Sequence, residues 1–61
     1  MRISTENKHM VGIQGGKVLV MSPPREPMSG TEALALAAWL IVMCGADEAE
    51  VTQAVNDVGN T

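Results

Sequence analysis

The sequence predicts an α+β fold: a short antiparallel β-hairpin, or a three-stranded meander, followed by two α-helices in a chain that assembles with copies of itself. Three observations carry this reading. Gly15-Gly16 stands between two β-branched runs; Ser29 opens a segment containing twelve consecutive apolar residues, Ala33 to Cys44; and Asp47 opens a second segment with an amphipathic repeat. At 61 residues the chain is one domain, 1–61, and a domain this small buries only about 60% of the surface that its unfolded chain exposes.

The β-element is assigned to residues 2–21. Primed two-residue turns need positive φ at both central positions, so Gly-Gly between Met10–Gln14 and Lys17–Met21 reads as a hairpin turn. Pairing Gln14 with Lys17 sets Ile13 opposite Val18 and Val11 opposite Val20, which puts four β-branched side chains on one face. The other face carries Met10, Met21, Gly12 and Leu19 with Gln14 and Lys17. Arg2 to Thr5 is expected to add a first strand through a turn at Glu6-Asn7-Lys8, bringing Ile3 beside Val11. A proline-rich connector, 22–28, then ends the sheet, because consecutive prolines remove ladder donors and favour an extended chain.

Ser29-Gly30-Thr31-Glu32 has the Ser-x-x-Glu form of a capping box, and a helix is expected over 30–44 with Gly45 at the left-handed position that ends it. Asp47 caps a second helix over 48–58, in which Val51, Ala54, Val55 and Val58 recur at i, i+3, i+4 and i+7; Gly59 is read as its stop.

The first helix has no polar face. At about 100° per residue, Leu34, Trp39 and Leu40 point about 0°, 140° and 240° around the axis. One sheet face and one short helix cannot dry such a cylinder, and leaving three large side chains wet forgoes on the order of 5 kcal/mol. Cys44 is the single cysteine and His9 the single histidine, so neither a disulfide nor a structural zinc site can staple one copy. Neither a metal nor a cofactor is expected, and homo-oligomerisation remains. Ala33, Ala37 and Cys44 form a small-residue arc where a second helix can approach, and with Leu36, Trp39, Leu40 and Ile41 they are the expected oligomer interface.

The charge is divided. Arg2, Lys8, Lys17 and Arg25 against Glu6 leave residues 1–25 at +3, while six acids and no base put residues 26–61 at −6. The four cations are the candidate anion-binding residues, for a small anionic ligand or an acidic host protein, with Arg25 favoured because prolines restrain it. Overall the net charge is −3 and the pI about 4.8, which argues against a general nucleic-acid coat, and nucleic acid is not the expected partner. The acidic outer face formed by Asp47, Glu48, Glu50 and Asp57 reads as a solvated helix surface rather than a mimic of phosphate.

No catalytic constellation stands in the sequence. His9 has no serine, cysteine or carboxylate at a recognisable spacing and reads as a surface side chain, Cys44 reads as core, and Gly12, Gly15 and Gly16 precede no helix that would make them a phosphate loop. The chain is read as a binding protein, not an enzyme. Its polar start lacks the apolar stretch of a secretory signal, and the apolar run spans only about 18 Å, too short for a bilayer. A cytoplasmic location, with no membrane partner, is expected.

The stretch Met28-Ser29-x-x-Glu32-Ala33-Leu34-x-Leu36-Ala37-Ala38-Trp39-Leu40, after a short hairpin and before a small helix running through Ala54-Val55 toward Thr61, resembles small bacteriophage-encoded accessory proteins. The resemblance covers about half the chain and carries over no functional residue. It implies a phage context and the cytoplasm of an infected bacterium, where such proteins inhibit or sequester host factors, including defence enzymes or their nucleotide signals. The competing readings are a dimeric transcription regulator of ribbon-helix-helix type, whose element order is the same, and a structural or assembly component of a virion.

Overall fold

The computed structural model describes residues 3–61 and has the order β1 (Val11–Gln14), β2 (Lys17–Val20), α1 (Gly30–Cys44) and α2 (Glu48–Gly59). The two strands form an antiparallel hairpin in the expected register, with Val11 opposite Val20, Gly12 opposite Leu19, Ile13 opposite Val18 and Gln14 opposite Lys17. Gly15 and Gly16 have φ of 59° and 76°, both in the left-handed region that the primed turn demands.

Of the two forms expected for the β-element, the structure has the hairpin. Residues 3–5 form no strand, and Arg2 lies outside the described residues. The reason is a side chain. Asn7 accepts from the Val11 N–H through Oδ1 at 2.8 Å and donates from Nδ2 to the Val11 carbonyl at 2.9 Å, so its carboxamide takes both bonds that a neighbouring strand would make there. The turn that presents it runs from Asn7 to Met10, closed by Met10 N–H donating to the Asn7 carbonyl at 3.1 Å.

Met10 itself has φ of 51°, the one non-glycine among the described residues with positive φ. Beyond β1 and β2 the ribbon continues irregularly. Met21 N–H donates to Met10 and Ser22 N–H to His9, at 3.3 and 3.0 Å, whereas regular antiparallel pairing uses alternate residues only. The left-handed turn at Met10 makes the two consecutive bonds possible.

At α1, Ser29 Oγ accepts from the Glu32 N–H at 3.2 Å, as the capping signal requires. The Glu32 carboxylate lies 3.9 Å from Lys8 Nζ, an exposed pair that ties the helix start to the Asn7–Met10 turn without adding much stability. Gly45, at φ 74°, ends α1 with its N–H on the Val42 carbonyl. The capping box of α2 is complete: Asp47 Oδ1 accepts from Glu50 N–H at 2.8 Å and Glu50 Oε1 accepts from Asp47 N–H at 3.0 Å. Gly59 is the last residue of α2 rather than its stop; Asn60 caps the end, because N–H groups of residues 60 and 61 still find helical carbonyls.

Packing is thin. Val11, 3% exposed, is the only buried side chain among the described residues, and it sits where α1 crosses the open end of the hairpin. Both strands pack against α1, whereas α2 packs extensively on no other element. The accessible surface is 5023 Å². A compact monomer of this mass exposes roughly 3,800 Å². The radius of gyration, 12.3 Å, likewise exceeds the roughly 10.5 Å of a compact chain of this length.

Candidate interaction surface

Two hollows flank α1, and they differ in chemistry. The apolar one lies between the N-terminal arm and the helix. Val11, Ala35, Leu36 and Trp39 line a cleft of about 90 Å³ with Asn7, and beyond it Ile3, Ala38 and Val42 continue an open apolar shelf past Trp39. The Asn7–Val11 pairing ties the arm to β1 beside the helix, so a bent arm rather than a third strand shapes this groove.

On α1 the side chains left most open are not those expected from the small-residue arc. Ala33, Leu36, Ala37, Trp39, Leu40 and Ile41 are each half-buried within a single copy, and Leu36 and Trp39 face the arm and hairpin. Cys44 is exposed rather than in the core; its thiol donates to the Ile41 carbonyl at 3.2 Å. The widest opening is a stripe formed by Leu34, 42% exposed, Ala38 and Val42, 69% exposed, at i, i+4 and i+8. Sequence reasoning missed this stripe because a helix that is apolar all round does not say which side the hairpin covers. The spacing was readable; the side was not.

The second helix has the same character. Val51 is half-buried, but Val55 and Val58 are 65% and 76% exposed, so the amphipathic face predicted to pack is open to solvent. Further apolar surface lies along the hairpin, where Ile13 and Val18 near the tip, and Met10 and Met21 at the open end, are exposed.

The polar hollow lies under the connector, where Lys8, His9, Arg25, Glu26 and Glu32 share a shallow open depression with Ser22. Of the four candidate anion-binding cations, the structure thus brings Lys8 and Arg25 together. Lys17 stands at the hairpin turn, about 13 Å along the ribbon from Met21, and Arg2 lies outside the described residues. Two carboxylates face the two cations, so the hollow concentrates no net positive charge. His9 is half-buried and structurally engaged, its Nδ1 2.9 Å from the Ser22 carbonyl.

No three His, Cys, Asp or Glu side chains gather as a metal site among the described residues, and no helix there is long and apolar enough to cross a membrane. Compared with protein families, curated proteins and solved structures, the chain matches none.

Proposed function

We propose that the chain is a non-catalytic binding protein that works as an assembly of identical copies and acts stoichiometrically, by occluding or sequestering its target. The observation that carries this reading is the surface balance: 5023 Å² exposed, roughly a third more than a compact monomer of this mass shows, with Leu34, Val42, Val55 and Val58 exposed on regular, well-capped helices. Such elements are made to be covered. The resemblance to phage accessory proteins makes a host defence factor, or its nucleotide signal, the target.

The hairpin favours this reading over a ribbon-helix-helix regulator. Gly15 and Gly16 place both strands of the ribbon in one chain, and Leu19, Met10 and Met21 occupy the face that would have to read base edges. The test joins two measurements. Sedimentation should give a multiple of 6.4 kDa at micromolar concentration, and thermal shift with mono- and cyclic nucleotides should separate a nucleotide target, which adds several kcal/mol in excess ligand, from a protein one. Retention on duplex DNA that falls steeply with salt would contradict the proposal.

A further inference from the structure

The stripes of α1 and α2 have matching lengths, and among the described residues neither is covered along its length: the arm residues Ile3, Ser4 and Thr5 border the α1 stripe only at Ala38 and Val42, and on α2 only Val51 is half-buried. Leu34, Ala38 and Val42 extend about 12 Å along α1, and Val51, Val55 and Val58 about 10.5 Å along α2. Within one copy α1 and α2 do not pack extensively on each other. Their connection, Gly45 to Asp47, is pinned at both ends, by Gly45 in the left-handed cap with its N–H on Val42 and by the closed capping box at Asp47. An isolated helix of 12 residues is marginal in water, so α2 needs more covering surface than the strands and the other helix of its own chain give it.

We infer that α2 of a second copy lies on the Leu34–Ala38–Val42 stripe of α1, and that the exchange is reciprocal about a two-fold axis. This rests on the self-assembly proposed above and names its contact. Area selects a second copy: the chain exposes about 1,200 Å² more than a compact monomer, enough for the roughly 800 Å² that each partner contributes to a stable interface. Closure selects it too, since both halves of the contact occur in the same chain and one two-fold operation satisfies both at once. Charge permits the contact, since Glu32, in the first turn, is the only charged residue of α1 and so little like charge faces the acidic α2.

Disulfide trapping tests this in the full-length protein. In a Cys44→Ser background, one preparation carries Ala38→Cys and a second carries Val55→Cys, the midpoints of the two stripes; they are mixed under reducing conditions to exchange subunits, then oxidised. The expected result is a mixed disulfide between the two variants as the main product, because reciprocal packing brings these positions within bonding distance. Val55→Asp with Val58→Asp should in addition weaken association at least 100-fold while Leu34 to Val42 keep their helix. If the wild-type chain self-associates but only same-variant disulfides or none form, the proposed contact is wrong and self-assembly stands. A wild-type chain that stays folded at 6.4 kDa overturns both.

Discussion

The hairpin with α1 and the second helix reach order by different means. In the first unit contacts between elements do the work: β1 pairs with β2, α1 packs on both strands around the buried Val11, and the arm half-covers Trp39, with Asn7 adding a local clamp on Val11. In the second everything is local. A complete capping box, a Gln53 to Asp57 hydrogen bond at 2.8 Å and a Thr61 hydroxyl on the Asp57 and Val58 carbonyls hold α2, and among the described residues no strand or helix packs extensively on it. Local terms alone sum to little. Capping contributes about 1 kcal/mol and each side-chain pair a few tenths, so α2 teaches that an element can be well specified locally and still have little tertiary support within its own chain.

Substitutions in the first unit should be the more damaging. Val11→Ala removes two methyl groups from the one buried position among the described residues and is expected to cost about 2 kcal/mol, read by chemical denaturation with the Trp39 signal as probe. Asn7→Ala deletes two hydrogen bonds to the Val11 backbone, for about 1.5 kcal/mol, and should release the arm so that Trp39 becomes more solvent-exposed. A Trp39 spectrum that did not change would show that the arm is held by something else.

Asp47→Ala sharpens the contrast between the regions. Loss of the cap should cost about 1 kcal/mol. If α2 is covered by another copy, that cost appears in the midpoint of the global transition and in weaker association. If α2 is a free helix, the variant loses helical signal while the hairpin and α1 unfold as before. The smallest effect is expected from Met10→Gly, which relieves a left-handed non-glycine backbone and should raise stability by about 0.5 kcal/mol. A loss at this position would instead show that the exposed Met10 side chain is packed in the assembly.

Where local chemistry decides, the sequence was legible. Two glycines that need positive φ set the hairpin register, and Ser29, Gly45 and Asp47 set the helix ends to within a residue. Legibility stopped where one side chain could replace a whole element. Asn7 does with one carboxamide what a strand over 2–5 was expected to do, and no periodicity distinguishes the two. It stopped again on α1, because an apolar run with no polar side carries no mark of which arc the hairpin will cover. The expected interface arc is half-covered within one copy, and the open side is Leu34, Ala38 and Val42. The cation cluster was legible only in part: the connector brings Arg25 to Lys8, but it also brings Glu26 and Glu32.

The dependence of α2 on another copy is tested most directly by measuring molar mass and helical content together over a dilution series. The account predicts a dimer, twice 6.4 kDa, at micromolar concentration, with helical signal falling as the dimer dissociates. A 6.4 kDa particle that kept the full helical signal of α1 and α2 through the same dilution would contradict it.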